Sequence, residues 1–300
     1  MNNKVRQNVL PLITAAIWGT AFVAQSVSAD KMGGFMFTAA RSLIAAVFLA
    51  VLIFVCGKTR LKKLSITRPN VGTKRDLIVG GICCGTALFV ATNLQQYGIK
   101  FTSVGKAGFI TALYIVLVPV GSMFFGKKSS IGVWVSVLIA TVGLYLLCMN
   151  EKFTVSKGDA LVFLCAIAFT AHILTIDRFT NLTDGVRLSL VQFITCFVLS
   201  IICAFLFEKN TVSDIISCIW PIIYVGVFSS GIAYTLQIVA QRGSNPAVVS
   251  LLLSLESVFS VVSGAIILGE RLKVKEYVGC VFMLAAVILA QLPTKKTVKR

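Results

Sequence analysis

The amino-acid sequence predicts an all-α integral membrane protein in which ten transmembrane helices form two five-helix repeats. Two observations support this prediction. Of the 300 residues, 57% are hydrophobic and only 13% are charged, whereas soluble domains carry about 25% charged residues. In addition, the apolar residues form ten runs of membrane-spanning length, and the last five runs share features with the first five.

Each predicted helix is a run of about 20 mostly apolar residues, which is the length of helix that crosses the hydrocarbon core of a bilayer. Most connections are short, so successive helices should form antiparallel hairpins. The exception is the segment 57–75, which carries seven Lys or Arg residues and no acidic residue. The predicted spans are 8–28, 34–56, 77–98, 104–126, 130–149, 158–177, 186–207, 213–238, 245–268 and 274–292.

Lysine and arginine are distributed unevenly between the two sides of this arrangement. With the N-terminus inside the cell, 18 of the 28 basic residues lie on the cytoplasmic side, nine lie outside and Arg41 lies within a span. Because cytoplasmic loops of membrane proteins are enriched in Lys and Arg, both termini should be cytoplasmic, in a multi-pass protein of the cytoplasmic (inner) membrane. A cleaved signal peptide is the alternative for residues 1–29, since small residues precede Asp30.

Several other classes of protein are disfavoured by the sequence. The net charge of +17 does not indicate nucleic-acid binding, because the basic residues lie between apolar segments rather than on one amphipathic element. The nine cysteines lie in or at the ends of apolar runs, are odd in number and lack C-x-x-C spacing, so they predict neither a disulfide framework nor a metal site. We therefore expect no cofactor, no metal and no nucleic-acid partner.

Three pairs of segments align between the two halves of the chain. They are "AAIWGTAFVAQ" (15–25) with "CAIAFTAHILT" (165–175), "TNLQQYGIKFTSVGKAGFIT" (92–111) with "YTLQIVAQRGSNPAVVSLLL" (234–253), and "PVGSMFFGKK" (119–128) with "VVSGAIILGER" (261–271). We therefore predict one repeat over 1–149 and a second over 150–300. Because five is an odd number of helices, the second repeat must enter the membrane from the opposite side, as in many secondary transporters.

The quoted segments resemble the EamA-type branch of the drug/metabolite transporter superfamily. The similar features are "AIWGTAF" (16–22), Arg41 early in the second helix, "LQQYGIKFTSVGKAGFITALYIVLVP" (94–119) and, most specifically, "LLSLESVFSVVSGAIILGERL" (252–272). The resemblance extends over the whole chain. It implies two inverted repeats in which the fifth and tenth helices are peripheral and the others surround a central cavity, and it implies transport of small organic metabolites, including amino acids.

The expected function is therefore secondary active transport, as export or exchange of a small organic metabolite such as an amino acid by alternating access. The expected partners are this small-molecule substrate, the lipid bilayer and a coupling ion, either a proton or another. A membrane-embedded enzyme is one rival, for which Glu256 and His172 would be the acid–base pair, but no G-x-S-x-G, H-E-x-x-H or paired-carboxylate motif indicates catalysis. A channel, giving flux without exchange or saturation, is the other rival.

Helical periodicity selects the side chains that should face the cavity, because residues three or four apart share one face of a helix. Amide and phenol groups in apolar helices need partners other than lipid, which are either water in a cavity or neighbouring helices. Three stripes fit this pattern: Thr14, Trp18, Phe22 (or Ala21) and Gln25 on the first helix, Asn93, Gln96 or Tyr97, and Lys100 on the third, and Ser230, Tyr234, Gln237 and Gln241 on the eighth.

Three ionisable residues inside the predicted helices add to these stripes. Arg41 either lines the cavity or extends to the membrane interface. His172 either lines the cavity or is a hydrogen-bonded core residue. Glu256, which we align with Leu113 of the first repeat, is costly at mid-depth unless it finds a partner or binds a proton; it either serves the substrate or is a structural hydrogen-bonded carboxylate. The predicted substrate-binding set is Trp18, Phe22, Arg41, Asn93, Gln96, Tyr114, His172, Tyr234, Gln237 and Glu256.

Overall fold

The structure, a computed structural model, describes residues 3–58, 72–102, 104–127, 129–148, 156–268 and 273–292. Over these ranges the chain is helical and contains no strand, which confirms the predicted all-α class. The spans, numbered in chain order, are α1 (Asn3–Ala29), α2 (Gly34–Lys58), α3 (Lys74–Ile99), α4 (Val104–Ala112 and Tyr114–Phe124), α5 (Ile131–Cys148), α6 (Lys157–Phe179), α7 (Gly185–Phe207), α8 (Ile219–Gln241), α9 (Pro246–Leu253 and Glu256–Leu268) and α10 (Val274–Gln291).

These ten helices match the ten predicted spans. Nine of them, within the described residues, are long and apolar enough to cross a membrane, and the apolar part of α5, Ile131–Leu147, is slightly shorter. A short helix, Val212–Ser217, precedes α8. Most of the basic segment 57–75 and the predicted boundary between the repeats lie outside the described residues.

Local hydrogen bonds determine where several helices begin. Thr73 and Asp76 form a capping box at the start of α3, and Ser156 with Asp159 forms another at the start of α6. At the start of α9 the side chain of Asn245 accepts a hydrogen bond from the backbone N–H of Ala247. Each cap satisfies backbone N–H donors that the first turn of a helix leaves unpaired, so these polar residues define where the helices begin.

The outer surface of the bundle is apolar. Phe205 is 78% exposed, Leu138 is 67% exposed and Val281 is 63% exposed. Water-soluble proteins rarely expose apolar side chains over such a large contiguous area, whereas lipid chains solvate them. This surface agrees with a bundle that is embedded in a bilayer.

Helices of the two repeats pack in matching pairs. α2 packs along α7 and α5 packs along α10, while α3 packs against α6 and α1 packs against α8. Exchanging each helix for its counterpart in the other repeat leaves this set of pairs unchanged, since α1 corresponds to α6, α2 to α7 and α3 to α8. The packing therefore has the two-fold relation of inverted repeats.

Close contact between α3 and α7 depends on glycine. A Cβ atom at Gly81 would lie 2.4 Å from the Val191 side chain, and one at Gly85 would lie 2.6 Å from the backbone oxygen of Gln192. These two residues belong to the segment "GICCG" (81–85). The spacing of small residues four apart allows two membrane helices to approach backbone to backbone.

Three helices are irregular near their middles. α4 is interrupted at Leu113, and α9 is interrupted between Leu253 and Glu256. α8 contains a π-helical stretch over Val225–Ala233. Such departures from the α-helix change the direction of side chains and expose backbone carbonyl groups, and they are frequent at functional sites. All three irregular stretches contribute residues to the same internal cavity.

Candidate substrate-binding cavity

A cavity lies at the centre of the bundle, where the interrupted parts of α4 and α9 face α1 and α8. The cavity has a volume of about 40 Å³. That free space suffices for roughly three water molecules. The cavity is therefore narrow in this state of the protein.

Seven of the ten predicted substrate-binding residues line this cavity, and they come from both repeats. Trp18, Phe22, Arg41 and Tyr114 belong to the first repeat, and Tyr234, Gln237 and Glu256 belong to the second. On α1 and α8 the lining residues include members of the stripes that helical periodicity selected. The Arg41 side chain is buried in the wall and does not extend to the membrane interface, and the Glu256 side chain is also buried there.

The other three predicted residues lie outside the cavity wall. His172 is fully buried, and its Nε2 atom lies 2.8 Å from Oε1 of Gln192. The Asn93 amide donates to the carbonyl oxygen of Phe89, one turn earlier in α3. Gln96 donates to the backbone oxygen of Gln25 at 3.4 Å. Each of these side chains contacts neighbouring helical groups, which is the packing alternative for polar residues in membrane helices.

Seven further residues line the cavity beyond the predicted set: Gln25, Gln95, Thr111, Phe169, Ile173, Ser229 and Leu253. Gln25 belonged to the predicted stripe of α1. Gln95 was detectable from the repeat alignment, because Leu94-Gln95 overlays Leu236-Gln237. The aliphatic and aromatic positions carried no polar signal that distinguishes them from ordinary core residues.

Lining positions on α3 and α4 are related to those on α8 and α9 by an offset of 142 residues, which the alignment of 92–111 with 234–253 defines. Gln95 corresponds to Gln237, and Thr111 corresponds to Leu253. Tyr114 corresponds to Glu256 by the same offset. The pairing of Glu256 with Leu113 was therefore wrong by one position, since the helix interruptions place Leu113 opposite Leu255.

The phenol of Tyr114 donates a hydrogen bond to Oε1 of Glu256 at 3.1 Å. Each residue is the first one after the interruption in its helix, and both are almost completely buried. The side chains thus meet close to the two-fold relation between the repeats. This contact joins α4 to α9 in the cavity wall, and a hydrogen bond to a carboxylate is stronger than one between neutral groups.

Glycine places the Glu256 turn directly against α1. A Cβ atom at Gly19 would lie 2.5 Å from Cβ of Phe259 and 2.8 Å from the backbone oxygen of Glu256. Any larger residue at position 19 would therefore displace the second segment of α9. This contact explains the glycine that follows Trp18 in "AIWGTAF".

The π-helical stretch of α8 forms the opposite wall. The indole N–H of Trp18 lies 3.4 Å from the backbone oxygen of Ser229, and the rings of Trp18 and Tyr234 are 4.6 Å apart. Gln237, three residues after Tyr234 in α8, has a buried side-chain oxygen without a hydrogen-bond partner. The wall thus combines aromatic faces with an amide that has spare capacity to accept a hydrogen bond.

Opposite charges occupy different parts of the cavity wall. Nη1 of Arg41 donates to Oε1 of Gln25 at 3.2 Å, whereas Glu256 is hydrogen-bonded to Tyr114. The ion pair of Lys127 with Asp177 lies outside the cavity, and Arg41 and Glu256 are not paired with each other. Charges inside a membrane protein mark pathways for substrates and ions, because they are costly elsewhere.

A helical membrane protein with inverted repeats and a charged central cavity has the architecture of a transporter. The model of the EamA-like transporter family matches residues 7–149 and again residues 156–292. This chain belongs to the EamA-like transporter family, and it is a membrane transporter.

Relatives of similar sequence agree with this assignment. An uncharacterized transporter of Archaeoglobus fulgidus is 30% identical over 289 residues, which cover 93% of this chain and 84% of that protein. The uncharacterized transporter YoaV of Bacillus subtilis is 19% identical, over 91% of this chain and 92% of that protein. The crystal structure of another protein superposes on this chain with a TM-score of 0.75 and 17% sequence identity, over 95% of this chain and 96% of that chain. At this identity the superposition shows the fold alone.

Proposed function

We propose that this protein is a secondary active transporter that exports or exchanges a small organic metabolite, such as an amino acid, across the cytoplasmic membrane by alternating access. The observation that carries the proposal is the charged cavity between the two repeats, which holds a buried guanidinium and a buried carboxylate. Two buried charges of opposite sign suit a small polar solute better than an apolar one.

The small size of the cavity supports alternating access. Room for roughly three water molecules is too little for most metabolites, so the helices must separate before a substrate enters. Many secondary transporters achieve this separation by rocking one repeat against the other. The channel alternative would need a continuous open path, which this narrow cavity does not favour.

Contacts between the two repeats close both ends of the bundle. We expect these contacts to break alternately, one end at a time. At the end that carries the α1–α2 loop, the carboxylate of Glu208 accepts hydrogen bonds from the backbone N–H groups of Phe35 and Met36. At the opposite end, Lys127 forms an ion pair with Asp177. Each contact joins one repeat to the other, so opening either end requires breaking one of them.

Glu256 is the group proposed to couple an ion to the substrate. Its carboxylate lies at mid-depth on the interrupted helix α9 and contacts Tyr114 of the other repeat. A carboxylate in this position can bind a proton in one state and a cationic group in another, because the groups around it change as the repeats move. The membrane-enzyme alternative lacks its acid–base partner here, since His172 is hydrogen-bonded to Gln192 and does not line the cavity.

Counterflow in proteoliposomes tests the proposed function. Purified protein is reconstituted, loaded with an unlabelled solute and supplied outside with traces of the same labelled solute, using a panel of amino acids, nucleosides and sugar phosphates. We expect transient accumulation of one labelled solute, recovered chemically unchanged. Conversion of the solute would indicate an enzyme, and flux that neither saturates nor exchanges would indicate a channel; either result overturns the proposal.

A further inference from the structure

Arg41 is buried in the cavity wall without a carboxylate partner. Its side chain is only 4% exposed. Nη1 donates to the side-chain oxygen of Gln25 at 3.2 Å, and Nε is buried without any hydrogen-bond partner. Among the described residues, no Asp or Glu forms an ion pair with this guanidinium. The centroid of the Phe37 ring lies 6.0 Å from the guanidinium carbon.

The position of Arg41 is not explained by extension toward the membrane interface. Arginine side chains near helix ends reach the interface to keep the guanidinium in water. Here the guanidinium instead turns toward Gln25 on α1 and lines the internal cavity. It is therefore held inside the protein.

Helix packing does not require a charge at this place either. Arg41 is the eighth residue of α2 and Gln192 is the eighth residue of α7, so Gln192 holds the matching position in the second repeat. Gln192 is fully buried and is hydrogen-bonded to His172, away from the cavity. In the second repeat, α7 therefore contacts α6 through a neutral side chain, where α2 contacts α1 through Arg41 in the first repeat. The packing of these helices does not require a charge, so the arginine has another role.

A buried and unpaired guanidinium is destabilising, and it is retained where a negatively charged group completes its hydrogen bonds. The planar donors of arginine fit a carboxylate or a similar oxyanion in a two-pronged arrangement. Glu256 lies in the same cavity and, when it is ionised, repels a second negative charge, so a singly charged group suits the cavity better than a dianion.

We propose that Arg41, oriented by Gln25, is an anion-binding subsite, and that the transported solute carries a carboxylate or another singly charged anionic group that docks there. This inference rests on the proposed function only in that the bound solute is also the transported one. Glu256 and the free acceptor of Gln237 are left to hold a positively charged or hydroxyl-bearing part of the same solute.

Thermal unfolding of the purified full-length protein in an uncharged detergent tests this subsite. The probes are acetate and propionate, each compared with its uncharged isostere, acetamide or propionamide, at constant pH and ionic strength. We expect saturable stabilisation by the carboxylates and none by the amides. Equal effects of carboxylate and amide, or no saturable effect of either carboxylate, would overturn the proposal. Stronger stabilisation by inorganic phosphate than by the carboxylates would indicate a site for a dianion and would also overturn it.

Three variants assign the effect to the proposed residues. Arg41→Met should weaken acetate binding about tenfold or more, while the ligand-free protein stays at least as stable as wild type because an unpaired buried charge is removed. Gln25→Glu keeps the arginine but supplies an internal carboxylate, so it should also abolish stabilisation by acetate. Arg187→Met removes an exposed arginine at the start of α7 and should leave acetate binding unchanged.

The outcomes separate this inference from the proposed function. Loss of ligand-free stability in Arg41→Met, or unaltered acetate binding in Gln25→Glu, would show that Arg41 is structural, even if counterflow demonstrates transport. Acetate binding that depends on Arg41 would uphold the subsite, even if no solute on the panel is transported.

Discussion

Tyr114 and Glu256 are equivalent residues of the two repeats, and they are hydrogen-bonded to each other at 3.1 Å. Each follows the interruption of its helix, α4 in the first repeat and α9 in the second. Residues related by a two-fold axis can touch only close to that axis. The contact therefore marks the position of the two-fold axis between the repeats. Glu256 is ionisable near neutral pH, whereas Tyr114 is not.

This asymmetry predicts that the carboxylate, and not the shape of the side chain, is needed for transport. Glu256→Gln keeps the size and most hydrogen bonding but removes the charge, so the variant should insert normally and lose most transport or its pH dependence. Tyr114→Phe removes one hydrogen bond to a charged group and should slow transport about tenfold. Flux is measured in proteoliposomes over a range of pH.

Glu276→Gln is the matched control for Glu256→Gln, since Glu276 caps the start of α10 through the backbone N–H of Lys273 and does not line the cavity. It should transport at the wild-type rate. A wild-type rate and an unchanged pH profile in Glu256→Gln would make the carboxylate structural.

The contact of Gly19 with α9 predicts strong sensitivity to an added methyl group. Gly19→Ala places a Cβ atom 2.5 Å from Phe259 and should cost about 1–3 kcal/mol of stability through displacement of the Glu256 turn. Gly108→Ala is the control, because a Cβ atom there meets nothing within 4 Å. It should be neutral or slightly stabilising, since alanine favours a helix more than glycine does. The melting temperatures of Gly19→Ala and Gly108→Ala in detergent test this prediction. Equal melting temperatures of the two variants would contradict the close contact at Gly19.

The aromatic wall predicts a loss of binding without a loss of fold. Trp18→Ala, Tyr234→Ala and Gln237→Ala each remove a cavity-lining group and should weaken substrate binding, while the protein still inserts and migrates as a single species in gel filtration. Trp220→Ala is the control for the loss of an indole, because Trp220 is 77% exposed on the outside of the bundle. Normal binding in all three cavity variants would place the site elsewhere.

The fold and much of the cavity follow from simple patterns in the sequence. The ten helices could be predicted because the thickness of the bilayer fixes the length of an apolar segment that spans it. Trp18 and Tyr234 could be predicted because residues on one face of a helix recur every three to four positions. Periodicity failed where a helix is irregular or a polar side chain is satisfied locally. Asn93 bonds one turn back along α3, and the interruptions of α4 and α9 turn Tyr114 and Glu256 toward each other, which no regular repeat of residues predicts.

The distribution of basic residues predicts the orientation of the chain. Position 63 lies in the basic segment between the second and third helices, which the positive-inside rule places in the cytoplasm with both termini. On a background from which the nine cysteines are removed, Lys63→Cys should react with a membrane-impermeant thiol reagent only after the membrane is permeabilised. Labelling in intact cells would reverse the orientation.

The hydrogen bonds of Glu208 predict how one end of the bundle opens. Its carboxylate accepts from the backbone N–H groups of Phe35 and Met36 at 2.8 and 2.9 Å, and it also accepts from the phenol of Tyr97. A carboxylate at a helix N-terminus is stabilised by unpaired N–H groups and the helix dipole, so this contact fastens the α7–α8 connection of the second repeat to α2 and α3 of the first. Glu208→Ala should therefore shift the population toward a state that is open at this end.

A cysteine in place of Gln25 reports on that opening, since Gln25 lines the cavity and is only 7% exposed. In the cysteine-free background, the thiol should react with a water-soluble maleimide several-fold faster when Glu208→Ala is added. Asp214→Ala is the matched control, because Asp214 belongs to the same connection but caps only the short helix Val212–Ser217. Faster labelling with both changes would indicate general loosening, and unchanged labelling with Glu208→Ala would show that the contact does not hold this end closed.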